Sequence, residues 1–134
     1  MRAAADDSPV VSVLAVDDHA AFLEAVRAVV AATSGFEVVA EAQSGEDALV
    51  LAAGCQPDLM LVDVQLPGID GCELTRRLTV IDSAAVVILL SSDDDPALQD
   101  APASCGAAVF IPKARFGRRA LASAWAQFGR GRPC

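Results

Sequence analysis

The sequence predicts an α/β fold in which a parallel sheet lies between two layers of helices. Five short runs rich in Val, Leu and Ile alternate with five segments patterned at helical spacing, the order expected of strands joined by helical crossovers. Those runs are apolar almost throughout instead of alternating with polar residues, which marks strands buried on both faces. Turn formers separate them: Gly35, Gly54, Pro57 and the Pro67-Gly68 pair.

The first strand is the run Val10 to Val16, where five of seven residues are Val or Leu and which ends in Asp17 and Asp18. Phe22, Val26, Val29 and Val30 then recur at helical spacing through Thr33, with Gly35 ending that helix. The second strand is predicted over 37–42. Ser44 caps the next helix, with Asp47 three residues on as a capping-box variant, and Gly54 closes it. Pro57 breaks the chain before the third strand, 59–63, which again ends in Asp.

Pro67 and Gly68 suit the centre of a type II turn. A third helix is predicted from Cys72 to Val80, and the most hydrophobic strand, 85–92, terminates in two hydroxyls. Beyond Asp93 to Asp95, Pro96 suits the first turn of a fourth helix, while Pro102 inside its expected span should shorten or kink it. The fifth strand is expected over 108–113, followed by a helix with Phe116, Ala120, Ala124 and Phe128 on one stripe. Residues 1–9 and 129–134 are expected to be flexible ends flanking one domain, 10–128.

At 134 residues the chain suits one domain with its own core. The longest wholly apolar run, Ala84 to Leu90, is too short to cross a bilayer. Acidic residues near the N-terminus (AAADDSP) stand where a signal peptide needs its apolar segment, so a cytoplasmic location is expected. A net charge of −8 argues against direct nucleic-acid binding by this surface, although five of nine arginines fall in the last twenty residues. Cys55, Cys72, Cys105 and Cys134 lack the spacing of a zinc site; the first three read as packing residues and the last as an exposed thiol.

In open parallel sheets the functional crevice lies beyond the carboxyl ends of the strands. Two carboxylates about 4 Å apart repel by about 4 kcal/mol at an effective dielectric of about 20, so Asp17 and Asp18 alone fit either a cation site or an exposed capping loop. The other strand ends decide between these: Asp63 closes strand three, Ser91 strand four, and Lys113, the only lysine, strand five. Oxygen ligands from Asp17, Asp18 and Asp63, with a loop carbonyl near Gln65, suit Mg²⁺. A lysine and a serine hydroxyl suit phosphoryl oxygens, and an Asp carboxylate is itself a competent nucleophile for phosphoryl transfer. His19, beside the acidic pair, reads as a surface residue at a helix start.

The ordered motifs VDDH, PDLMLVDVQLPGIDG, VVILLSS and VFIPKA, with 45, 28 and 22 positions separating Asp18, Asp63, Ser91 and Lys113 in turn, resemble the receiver domain of bacterial two-component response regulators. The resemblance covers nearly the whole chain and is strongest to LuxR/NarL-type receivers, which precede a helix-turn-helix DNA-binding domain. It implies a flavodoxin-like fold with strand order 2-1-3-4-5. It further implies that Asp63 takes a phosphoryl group from a histidine kinase or phosphotransfer protein, that Asp18 binds Mg²⁺ directly and Asp17 through water, and that Ser91 and Phe110 are the switch pair. The output and dimer surface would be the fourth helix, fifth strand and fifth helix.

Only GRGRPC follows the last predicted helix, so the chain reads as a stand-alone receiver or one cut from a transcription factor. Two rivals have less support. A haloacid-dehalogenase-like phosphatase needs a second Asp two residues after its nucleophile, and position 65 is Gln. A pseudo-receiver acting only as an interaction module would normally have lost an acidic or lysine position, and none is missing.

Overall fold

The computed structural model describes residues 10–81, 84–92, 98 and 100–129. Five strands, β1 (Val11–Val16), β2 (Phe36–Ala42), β3 (Leu59–Asp63), β4 (Val86–Ser91) and β5 (Val109–Pro112), form one parallel sheet of order β2-β1-β3-β4-β5. Five α-helices connect or follow them: α1 (Ala20–Ala31), α2 (Gly45–Cys55), α3 (Gly71–Ile81), α4 (Ala101–Cys105) and α5 (Arg118–Phe128). Among the described residues no helix is long and apolar enough to cross a membrane.

Strand alternation divides the core into two layers. Leu14, Val16, Met60, Val62 and Leu89 face one way and pack with Ala48 and Ala52 of α2, Leu74 and Leu78 of α3, and Cys105 of α4. Val13, Ala15, Leu59, Leu61 and Leu90 face the other way, against Leu23, Val26 and Val30 of α1 and Leu121 and Ala124 of α5. Every residue of β3 is buried, as an apolar run at the centre of a doubly covered sheet requires. Val11 to Val16 is therefore apolar because both of its faces meet helices.

The predicted caps and turns are partly realised. Ser44 Oγ accepts the Asp47 backbone N–H at 3.1 Å, closing the first turn of α2. Gly68 has φ +77°, as the third residue of a type II turn needs. The end of α2 differs from expectation: Gly54 stays inside the helix and Gln56 adopts the left-handed cap, φ 46°, donating to Ala52 O. Pro57 next in sequence cannot continue a helix, which makes Gln56 the stopping point.

Several other boundaries also move. Asp70 caps α3 by accepting the Glu73 N–H at 2.8 Å, so that helix begins at Gly71. The fourth helix is a single short element, Ala101–Cys105, with Pro102 in its first turn, where the missing N–H has no helical acceptor to lose. Pro96 and Asp93 to Asp95, from which that helix was expected to run, lie outside the described residues, as do 1–9 and the basic end 130–134. Phe116 precedes α5, and Leu121, missing from the expected stripe, is its fully buried contact.

Cys55 is exposed, its Sγ donating to Leu51 O, which corrects its reading as a packing residue. Cys105 is buried and Cys72 half-buried. Burial and the adjacent Cys105 push the Cys72 thiol up to about 11, so it is an inert packing group at neutral pH.

One glycine sets the distance between β3 and α3. A Cβ on Gly71 would overlap the Asp63 carbonyl oxygen and lie 2.7 Å from Val64 Cα, and both are backbone atoms with little room to give. The same residue donates its N–H to Val64 O at 2.8 Å, closing the loop that follows Asp63. Gly71→Ala is expected to cost about 1–3 kcal/mol by overpacking. At Gly54 an added Cβ meets nothing within 4 Å, so Gly54→Ala is expected to stabilise by up to about 1 kcal/mol. Paired urea denaturation curves check both signs.

Candidate functional site

All five strands point their carboxyl ends to one edge, and the chemistry gathers there. Asp17 immediately follows β1 and is 2% exposed; its N–H donates to Ala42 O of β2 at 3.0 Å, which fixes it against the sheet. Asp63 is the last residue of β3 and is 3% exposed. Register pairs Asp63 with Leu90, so Ser91, fully buried, stands one step beyond it on the neighbouring strand. Ser91 pairs in turn with Pro112, placing Lys113 directly past the end of β5. There Lys113 opens a 3₁₀ turn, Lys113–Arg115, instead of finishing the strand.

The lysine reaches back over the edge. Its Nζ lies 2.6 Å from Asp17 Oδ2 and 3.5 Å from Asp63 Oδ2. The shorter contact is an ion pair without hydrogen-bond alignment, so Asp17 Oδ2 remains a buried oxygen with no hydrogen bond. Asp63 Oδ1 accepts the Gln65 backbone N–H at 3.1 Å. Burial raises the Asp63 carboxyl above its ordinary range and the nearby Asp17 charge adds to the rise, while the Gln65 N–H and Lys113 oppose it. Two buried carboxylates thus share one ammonium, and the balance of charge favours a further cation.

Donor atoms of Asp17, Asp18, His19 and Asp63 all lie within 4.8 Å of one another. Asp17 Oδ2, ion-paired to Lys113 but without a hydrogen bond, and the other hard oxygen donors fit a divalent ion such as Mg²⁺. The structure therefore brings together Asp17, Asp18, Asp63 and Lys113, the residues singled out at the strand ends. Gln65 is at the site through its backbone N–H. Phe110 is 6% exposed and packs in the core layer of α2, α3 and α4, on the strand that leads to Lys113.

Two participants were not read from the sequence. His19 is a surface residue at the start of α1, as expected, with a side chain 67% exposed, and it also places Nδ1 3.0 Å from Asp17 Oδ1 and 3.2 Å from Asp18 Oδ1. Phe22, taken only as a helix-face residue, lies beneath Lys113, whose Nζ is 4.4 Å from the ring centroid, and packs on Phe116 at 6.4 Å. The position of His19 beside two acids was a usable signal; the lysine over Phe22 depends on how α1 docks and left none.

A family model for the response regulator receiver domain matches residues 13–125. The chain belongs to that family. Among solved structures, the receiver resembles the signal receiver domain of the response regulator NarL from Mycobacterium tuberculosis, at 31% identity and TM-score 0.83 over 93% of this chain and 100% of that one. It also resembles a LuxR-family two-component response regulator from Aurantimonas sp. SI85-9A1, at 28% identity and TM-score 0.82 over 92% of this chain and 87% of that one. Among curated relatives, the response regulator GacA of Pseudomonas aeruginosa is 44% identical over 68 residues, 51% of this chain and 32% of its own length. The transcriptional regulatory protein DegU of Brevibacillus brevis is 38% identical over the same share of this chain and 29% of its own. This receiver therefore spans about a third of the length of the curated relatives it matches. Flavodoxin-like topology and membership of the two-component receivers agree with the resemblance read from the motifs.

Proposed function

We propose that this receiver is a phosphoacceptor: Asp63 takes a phosphoryl group from the phosphohistidine of a sensor kinase or phosphotransfer protein. The Asp63 carboxylate oxygen forms the new P–O bond as the histidine P–N bond breaks, and the imidazole leaves with the bonding electron pair. The observation that carries this reading is the pair of buried carboxylates, Asp17 and Asp63, facing a single ammonium at the C-terminal edge of the sheet. Asp17, Asp18, Asp63 and the Gln65 carbonyl would hold Mg²⁺, which supplies charge neutralisation at the phosphoryl oxygens. Lys113 and the buried Ser91 hydroxyl serve the remaining oxygens.

Signalling then follows from a shift in population. The modified Asp63 carries more charge and more acceptors, which Ser91 and Lys113 move to satisfy, and Phe110 repacks beside them on β5. The α4, β5 and α5 surface reads that change out to a second copy or to a DNA-binding output, fused or separate. The site serves signalling in the cytoplasm, with its own phosphotransfer and dephosphorylation as its only catalysis.

A small phosphodonor with Mg²⁺ is expected to add one phosphoryl group, seen by intact mass. Asp18→Ala should keep the acceptor yet lower Mg²⁺ affinity by about tenfold or more, because a carboxylate ligand of a hard cation is lost. Calorimetric titration checks this, and unchanged affinity would remove Asp18 from the ion site.

A further inference from the structure

Among the described residues the Lys113 ammonium has three neighbours of two kinds: Asp17 Oδ2 at 2.6 Å, Asp63 Oδ2 at 3.5 Å, and the Phe22 ring, whose centroid lies 4.4 Å from Nζ. Phe22 is half-buried in the first turn of α1, where its N–H donates to His19 O at 3.0 Å. Its ring also packs on Phe116, with centroids 6.4 Å apart and planes tilted by 54°. Phe116 ends the 3₁₀ turn that Lys113 opens, and its N–H donates to Lys113 O at 3.1 Å. Phe22 therefore governs the lysine twice, at the ammonium directly and at the backbone through Phe116. Beside the ring lies a cavity of about 400 Å³ bounded by His19, Ala21, Phe22, Ala25, Ser92 and Lys113. Small side chains on α1 leave it open, so a lysine that loses the ring has other places to go.

A divalent ion treats the two kinds of neighbour differently. Mg²⁺ at the carboxylates competes with the ammonium for the Asp17 and Asp63 oxygens. The ring attracts a cation through the negative face of its quadrupole, and a hard ion dressed in oxygen ligands and water gains nothing from it. With such an ion in place, the attraction that the lysine keeps is the one to Phe22. Its long, flexible stem otherwise lets the charge swing to solvent or into the adjoining cavity. We propose that Phe22 is a positioning residue for phosphoryl acceptance, whose ring face keeps the Lys113 ammonium at the rim beside Asp63 after a divalent ion has released it from Asp17. This role rests on the reading of Asp63 as the acceptor. It adds to that reading a residue whose side chain has no polar atom to offer the ion.

The test measures the rate at which acetyl phosphate modifies the whole chain at saturating Mg²⁺, by intact mass, and the Mg²⁺ affinity by calorimetry. The proteins compared are wild type, Phe22→Leu, and the chain carrying pentafluorophenylalanine at position 22. Leucine keeps an apolar side chain and a high helix propensity but has no π face. The fluorinated ring keeps the aromatic shape and reverses the sign of its face. The expected result is a rate lowered by about fivefold or more in both altered proteins, with a Mg²⁺ affinity within about twofold of wild type in each. A fluorinated protein modified as fast as wild type overturns the proposal, whatever Phe22→Leu does, because a packing role alone would survive fluorination. A fall in Mg²⁺ affinity that matches the fall in rate also overturns it. Should Phe22→Leu fail to fold, the fluorinated ring decides by itself. A wild type that acetyl phosphate leaves unmodified removes the phosphoacceptor reading and this role with it, whereas a modified wild type whose rate ignores the ring face removes this role only.

Discussion

Asp63→Asn is expected to abolish modification by a small phosphodonor, and to leave the NMR spectrum unmoved by beryllium fluoride and Mg²⁺, whereas wild type responds to both. The amide keeps the shape of the carboxylate and loses the nucleophilic oxygen, so the loss is one of chemistry more than of fold. Equal modification of the two proteins would reject Asp63 as the acceptor. The same variant carries a stability signature. In the fold, burial holds the Asp63 carboxyl above its ordinary range. Ionising it therefore opposes folding, a penalty that develops as pH rises above the unfolded carboxylate value of about 3.9 and is complete above the raised folded value. Metal-free Asp63→Asn should accordingly be the more stable protein at neutral pH, with the difference vanishing as pH falls towards the unfolded value. Thermal unfolding across that range checks the sign.

Lys113→Met is expected to cost about 3 kcal/mol of stability in metal-free buffer, the scale for removing one partner of a buried ion pair. The lysine side chain is 12% exposed and is the ammonium that faces both Asp17 and Asp63. Its loss leaves two buried carboxylates repelling each other. Saturating Mg²⁺ should recover much of the deficit, since a ligand at one hundred times its dissociation constant stabilises by about 2.7 kcal/mol. If Lys113 serves the phosphoryl oxygens as proposed, phosphoryl acceptance should fall in the same variant even with Mg²⁺ present, because an ion at the carboxylates would not replace the lysine's proposed contact. Denaturation curves with and without Mg²⁺ separate the two effects, and a variant as stable as wild type in both buffers would show that Lys113 does not compensate the carboxylates.

The site was legible in the sequence because its parts sit where uninterrupted apolar runs stop. A buried parallel strand announces its end when the first charged residue appears, and Asp17, Asp63, Ser91 and Lys113 each mark such an end or its immediate neighbour. The order of the strands was not in those runs; it came with the motif resemblance. Elements whose limits depend on competing local signals were less legible. Pro102 reads as a residue that shortens or kinks the fourth helix, yet it stands in the first turn of Ala101–Cys105, while Pro96 lies outside the described residues. Gly54 was the obvious stop for α2, yet the left-handed cap fell to Gln56 because Pro57 ends the helix there. Phe22 could be placed only by tertiary structure, because its contact with Lys113 depends on how α1 docks, whereas His19 stands beside two acids in the sequence itself.

The chain's single lysine has a consequence for handling the molecule. Every side-chain amine reaction on this protein is a reaction at Lys113, so tethering through amines or tagging with an activated ester strikes the very group that balances Asp17 and Asp63. That amine is tucked between anions and over a benzene ring, and a cation arriving to claim those anions would release it. The rate at which the lysine takes up a label, followed at its own peptide to separate it from the α-amine and the thiols, thus becomes a gauge of occupancy.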